Sequence, residues 1–135
     1  MNWLIAPSYL LLVQILHYLL FSHGSSMLLV NTRASWGVPL PNWLLIIVSG
    51  LIIIGAIWLG ARQKTSLPIP VLLIIASGLS NALDRVWYGG VIDYFDIGPW
   101  PVFNIPDAVL TVIIIYYLYK AFKLRGSRRS APVAR

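Results

Sequence analysis

The 135-residue chain has no cysteine and no glutamate, and only 10% of its residues are charged. The missing cysteine excludes disulfides, thiolate catalysis, cysteine-based zinc sites and S-acylation of the chain itself. It says nothing about compartment. The scarcity of charge is more informative, because a soluble domain usually carries about a quarter charged residues. Apolar residues make up 59% of this chain, a composition that needs a lipid solvent. At this length a single domain is the default.

Formal net charge is +6, but its distribution argues against a nucleic-acid partner. Five of the ten basic residues (Lys123, Arg125, Arg128, Arg129 and Arg135) fall in the last thirteen positions. A cationic tail beside an apolar span meets anionic lipid headgroups. No recognition helix or RNA-binding aromatic motif is visible. The tail, residues 123–135, is Ser- and Arg-rich and is expected to be cytoplasmic and disordered.

Four apolar runs stand out: Trp3 to Phe21, Trp43 to Ala61, Leu67 to about Leu83, and about Pro106 to Phe122. A helical span needs roughly 20 apolar residues, with about 17 as the lower limit. The second run, 19 residues without a charge, satisfies this outright. The other three rely on polar end residues or a thin bilayer. No Lys or Arg precedes the first run and no Ala-x-Ala site follows it, so it reads as a retained span rather than a signal peptide. The expectation is an all-α membrane protein of four transmembrane helices over residues 1–122.

Lysine and arginine set the orientation. Arg62, Lys64, Lys120 and the five tail residues put eight bases on one side, against Arg33 and Arg85 on the other. Both termini are therefore expected in the cytoplasm, with segments 22–42 and 85–105 outside. The acids follow the opposite rule. Asp84, Asp93, Asp96 and Asp107 are the whole acidic inventory, and all lie within 24 consecutive residues on the outer side. Solvation alone does not sort charges this way, so the outer cluster reads as a site. Residues 22–42, with their turn formers around Met27 to Val30, suit small strands or a turn-rich cap. Residues 86–105 mix six aromatics with Gly and Pro, a composition of the headgroup level.

Three constellations could carry chemistry. Ser77, Ser80, Asn81 and Asp84 share one helical face by their spacing of three and four. Such a stripe should face the bundle interior, either as helix–helix glue or as the wall of a site. Asn104-Ile105-Pro106-Asp107 reads as a helix start, with Asn as cap, Pro in the first turn and Asp at the positive dipole end. The same geometry would fix a carboxylate rigidly. In Gly89 to Asp96, Asp93 sits in apolar and aromatic surroundings, where burial would raise its pKa. Asp96, followed by Gly98-Pro99, better fits a solvated loop. Two aspartates that meet can share one proton, one acting as base toward water and the other as acid toward a carbonyl oxygen. Rival chemistries lack their residues. His17 lies within the first span and His23 just beyond it, without zinc-site spacing. The serines have no visible Lys or His partner, and no Gly-rich phosphate loop precedes a helix.

From Ser80-Asn81-Ala82-Leu83-Asp84-Arg85 onward the chain resembles signal peptidase II, the lipoprotein signal peptidase family. That family has Gly-Asn-x-x-Asp-Arg, then a Gly, then Val-Val-Asp-Phe, then Phe-Asn-x-Ala-Asp. Here the corresponding residues are Asn81-x-x-Asp84-Arg85, Gly89, Val91-Ile92-Asp93-Tyr94 and Phe103-Asn104-Ile105-Pro106-Asp107. Upstream, Asn31-Thr32-Arg33-Ala34-Ser35-Trp36-Gly37 is similar to the family's Asn-Thr-Gly-Ala-Ala-Trp-Gly. Order and spacing agree from about residue 28 to 120. There are departures. The family's first-span Asp-x-x-[Ser/Thr]-Lys is absent, with Gln14 and His17 in its neighbourhood. Arg33 replaces a Gly, Pro106 replaces an Ala, and the loop between Asp93 and Asp107 is short.

The resemblance implies a four-helix membrane bundle with a small extracytoplasmic β-cradle, from residues 22–42, and a loop over the site, from 86–104. It implies an aspartic endopeptidase of the bacterial inner membrane, cutting prolipoproteins before a diacylglyceryl-cysteine. Asp93 and Asp107 match the catalytic dyad, and Asn31, Asn81, Asp84, Arg85 and Asn104 match lining or supporting positions. Asp84 is the rival member of the dyad. No cofactor or metal is implied. The expected partners are the lipid-modified substrate and membrane lipids, with the chain acting as a monomer. Two other readings stay open from sequence. One is a non-catalytic member of the same fold that binds lipidated peptides. The other is a small transport or scaffold subunit whose polar stripe lines an ion path.

Overall fold

The computed structural model describes residues 4–24, 28–34, 38–62 and 67–129, with backbone only for residues 59 and 124–129. The elements run α1 (Ile5–Ser22), β1 (Leu29–Asn31), α2 (Asn42–Ala61), α3 (Ile69–Trp87), β2 (Val91–Asp93) and α4 (Ile105–Arg129). Each expected apolar run is thus a helix. By length and composition, Ile5–Ser22, Ile69–Trp87 and Ile105–Lys123 are long and apolar enough to cross a membrane. Within α2 the apolar stretch Asn42–Trp58 is shorter. Trp3, Ser35 to Gly37, most of the 62–66 loop and residues 130–135 lie outside the described residues. Helix α4 continues to Arg129, seven residues past the expected end at Phe122 and into the segment expected to be disordered.

Proline punctuates the helix starts. Pro41 and Pro68 precede α2 and α3 in extended conformation, and their carbonyls accept the first helical N–H groups. Pro70 occupies the first turn of α3, where its missing N–H costs nothing. Helix α3 is the hub, packing against α1, α2 and α4. It is also the helix with the polar stripe. Ser77, Ser80 and Asp84 are fully buried, so the stripe faces the bundle interior as expected. The outward surfaces are apolar: Leu11 and Leu12 on α1, Leu51 and Ile54 on α2, and Val112 and Ile115 on α4 are all exposed. This is the distribution lipid demands. Hydrocarbon offers no hydrogen bonds, so polar groups turn inward and satisfy one another.

The expected β-cradle is a two-stranded antiparallel sheet, and its composition differs from expectation. Among the described residues, segment 22–42 supplies only β1. Its partner β2 comes from the segment expected to form the loop over the site. The register pairs Leu29 with Asp93, Val30 with Ile92 and Asn31 with Val91. Three residues are too few to hold a strand alone, so each outer segment stabilises the other. Beyond β2 the chain doubles back through a bridge between Phe95 and Phe103, whose backbones exchange hydrogen bonds of 2.8 and 3.1 Å. That return delivers the start of α4 beside the end of β2.

Two glycines make the α3–β2 connection. Gly89 adopts φ of 76°, the left-handed region that L side chains rarely enter. Gly90 answers a different need. A Cβ there would lie 2.8 Å from the Asn31 carbonyl oxygen and 2.9 Å from its carbonyl carbon. Gly90→Ala is therefore expected to push β1 away from β2. It should lower stability in detergent by about 1–3 kcal/mol, read by thermal unfolding. A variant as stable as the parent would show that β1 is not held where described.

Candidate active site

The end of α3, the start of α4 and the short sheet converge on three aspartates, and the structure gives each a different environment. Asp93 ends β2 and is 1% exposed. Asn31 lies diagonally across the sheet on the same face, and its Nδ2 donates to Asp93 Oδ2 at 2.9 Å. The second carboxylate oxygen, Oδ1, is buried with no hydrogen-bond partner among the described residues. Burial pushes the Asp93 carboxyl up to about 7. The Asn31 hydrogen bond opposes this, Asp107 raises it, Arg85 lowers it and Asp84 raises it.

Asp107 lies in the first turn of α4, as the cap motif predicted. Its backbone N–H donates to Asn104 Oδ1 at 2.9 Å, and the Ala108 N–H donates to the Asn104 carbonyl at 3.1 Å. Asn104 is thus the N-cap. The Asp107 carboxylate accepts from Asn81 Nδ2 at 2.8 Å. Asn81 Oδ1 in turn accepts from Asn104 Nδ2 at 3.1 Å, and the same Nδ2 lies 3.3 Å from the Ile92 carbonyl. One buried amide therefore touches both the residue before Asp93 and the backbone of Asp107. Tyr94 adds a second brace: its hydroxyl accepts the Ile105 N–H at 3.2 Å. Burial pushes that phenol up to about 12, so it stays a neutral hydroxyl.

Asp84 is fully buried and committed. Its Oδ1 accepts from Gln14 Nε2 at 3.2 Å and its Oδ2 from the Ile92 N–H at 3.3 Å. His17 Nδ1 lies 2.7 Å from Oδ2, also buried. Gln14 further donates to Ser80 Oγ at 2.9 Å. The polar stripe on α3 thus meets α1 through Gln14 and His17, the two residues found where the family has its first-span motif. Asp96 is exposed and accepts from the Gly98 N–H at 3.0 Å, the solvated turn expected of it.

Arg85 makes no hydrogen bond to a carboxylate among the described residues. Its Nη1 donates to Asn42 Oδ1 at 2.8 Å and its Nη2 to the Arg33 carbonyl at 3.0 Å. Asn42 also donates to the Gly89 carbonyl. Sequence reasoning missed Asn42. It follows Pro41 at a helix start, a context that reads as ordinary capping, and no local pattern marks a side chain that reaches another helix. A groove of about 340 Å³ lies beside Asn31, lined also by Leu29, Val30, Arg33, Pro101 and Val102.

The family model for signal peptidase (SPase) II matches residues 6–123. The chain belongs to the signal peptidase II family. Lipoprotein signal peptidases of known sequence agree. That of Methylorubrum extorquens is 31% identical over 114 residues, covering 77% of this chain and 67% of that protein. That of Syntrophomonas wolfei is 39% identical over 84 residues, covering 59% of this chain and 56% of the relative. The one from Caulobacter vibrioides is 38% identical over 95 residues, covering 66% and 54%. Against the last two, the match spans little more than half the relative's length. A solved bacterial membrane enzyme superposes with a TM-score of 0.81 at 23% identity, covering 98% of this chain and 94% of that one. Family and apolar helices together make this signal peptidase II homologue a multi-pass membrane protein.

The Asn104 hub yields a direct test. Asn104→Ala removes the cap and leaves the Ile92 carbonyl and Asn81 Oδ1 without their donor. It is expected to cost about 1–3 kcal/mol of stability. Asn104→Asp keeps the cap acceptor and loses both donated bonds, so it should recover only the helix-start part. Thermal unfolding of the three proteins in one detergent checks the order parent, Asn104→Asp, Asn104→Ala. An Asn104→Asp protein as stable as the parent would deny the amide its second role.

Proposed function

We propose that the chain is a membrane-embedded aspartic endopeptidase that removes the signal peptide of bacterial prolipoproteins, cutting before a diacylglyceryl-cysteine. Family membership supports the substrate class. One observation carries the mechanism: a buried carboxyl, Asp93, has an unpartnered Oδ1 and sits within the electrostatic reach of Asp107. A carboxyl held near neutrality by burial keeps a proton to give. Asp107, with Asn81 on one oxygen, takes a proton from water. The water oxygen attacks the scissile carbonyl carbon as Asp93 passes its proton to the carbonyl oxygen. Collapse of the tetrahedral diol breaks the C–N bond as the leaving amine takes the proton from Asp107 and one diol hydroxyl returns its proton to Asp93.

The same reading makes α2 the fourth span, with both termini cytoplasmic, the dyad at the outer face of the inner membrane and the 123–135 tail on the cytoplasmic side. It has the chain acting as a monomer. The bases at Arg62, Lys64, Lys120 and beyond support this orientation. The outer groove beside Asn31 suits the peptide segment entering from the water side.

Purified protein is incubated with a diacylglyceryl-modified propeptide and compared with Asp93→Asn and Asp107→Asn. Each variant should lose turnover by about 10²- to 10⁴-fold, the usual share of general acid–base catalysis. An Asp93→Asn enzyme that cleaves like the parent would remove Asp93 from the dyad.

The pH dependence has a definite sign. Asp93 is protonated below about 7 and loses its proton above it. A dyad that needs one proton therefore loses kcat/KM as pH rises through that value. Asn31 stabilises the ionised form, so Asn31→Ala raises the Asp93 pKa further and moves the alkaline limb to higher pH. A limb that stays fixed or moves to lower pH in Asn31→Ala contradicts the assignment.

A further inference from the structure

One buried titratable side chain has no part in the reaction above. His17, on α1, is 0% exposed. Its Nδ1 lies 2.7 Å from Asp84 Oδ2, whose side chain is also fully buried. The approach is off the line of the ring N–H, and neither ring nitrogen has an aligned hydrogen-bond partner among the described residues. The ring stands edge-on to Tyr94, with centroids 5.7 Å apart and planes at 70°. Both neighbours reach onward. Asp84 Oδ2 holds the N–H of Ile92, the residue before Asp93. The Tyr94 hydroxyl holds the N–H of Ile105, at the start of the helix that carries Asp107.

A carboxylate with no solvent contact needs an opposite charge or full hydrogen bonding. The donors to Asp84 from Gln14 and Ile92 are neutral amides at 3.2 and 3.3 Å, both long. The nearby Arg85 guanidinium is spent on Asn42 and the Arg33 carbonyl. The titratable groups facing His17 are Asp84 from α3 and Tyr94 from the chain beyond β2. Of these two, only Asp84 offers a charge to pair.

We infer that His17 is a positioning residue: its ring contacts Asp84 and braces Tyr94, and through those two it holds the Asp93 and Asp107 segments in register. The inference rests on the aspartic-peptidase reading. His17 touches no reacting atom. It sets where the Ile92 and Ile105 backbones sit, and hence how the two carboxyls meet. Loss of the ring leaves Asp84 Oδ2 with only the long Ile92 N–H contact among the described residues, and the carboxylate is free to shift and release Ile92.

The test uses the full chain in detergent with the diacylglyceryl propeptide. His17→Gln keeps a polar side chain of similar reach without a charge. It should lower kcat on the order of a hundredfold, the scale of a misplaced catalytic group, with KM changed less than about twofold. His17→Lys supplies a permanent cation and should restore most of the lost kcat. A His17→Gln enzyme with parental kcat overturns the inference, as does a His17→Lys enzyme no better than His17→Gln. If His17→Gln does not fold, the double variant His17→Gln/Asp84→Asn carries the test. Recovery of folding supports the pair, and no recovery overturns it. Asp93→Asn is assayed alongside. If it keeps full turnover the peptidase reading itself fails, whereas its loss combined with an unaffected His17→Gln sinks the positioning role alone.

Discussion

Asn104 joins the two chain segments on which the candidate site depends. Its side chain closes the start of α4 by accepting the Asp107 N–H, and it donates to both the Ile92 carbonyl and Asn81. The side chain is fully buried, so each bond is made where water cannot substitute for it. The strands are too short to fix this geometry alone. Their pairing sets Asn31 against Asp93, and Asn104 then sets Asp93 relative to Asp107. Positional precision comes from neutral amides, which hold a carboxylate without fixing its charge as a guanidinium would.

Three buried or half-buried aspartates share one small volume, and their partners divide the labour. Asp84 engages both oxygens with Gln14, Ile92 and His17. Asp107 has one oxygen held by Asn81. Asp93 has one oxygen held by Asn31 and the other without a partner. A carboxyl satisfied on both sides is structural. One left half-satisfied in a buried setting is costly unless its open oxygen has work to do. This ranking of hydrogen bonding supports Asp93, rather than Asp84, as partner of Asp107 in the proposed pair.

Much of this was legible in the sequence. Long apolar runs gave the helices because hydropathy and length are local properties. Asn104-Ile105-Pro106-Asp107 was legible as a cap because capping is decided within four residues. The stripe from Ser77 to Asp84 was legible because helical periodicity fixes a face. The α3–α1 link was only half visible: Gln14 and His17 drew notice, but nothing local says that they meet Asp84 some seventy positions on. The pairing of β1 with β2 was misassigned to separate cradle and loop segments. Three-residue strands leave almost no alternation to read, and their partner is chosen by the return of the chain at Phe95 and Phe103. Asn42 and its bonds to Arg85 and Gly89 were invisible for the same reason.

On the proposed mechanism, the placement of Arg85 is compatible with a proton kept on Asp93. A guanidinium bound directly to Asp93 would hold that carboxyl ionised at neutral pH, and the acid would be lost. Arg85 instead spends its donors on a side-chain amide of α2 and a backbone carbonyl beyond β1. Its charge is still felt at Asp93, where it opposes the effects of burial and of Asp107. The guanidinium therefore ties the outer segments to the bundle while only moderating the acid. Moving it by one hydrogen bond onto the carboxylate would gain an ion pair and, in the proposed dyad, remove the acid.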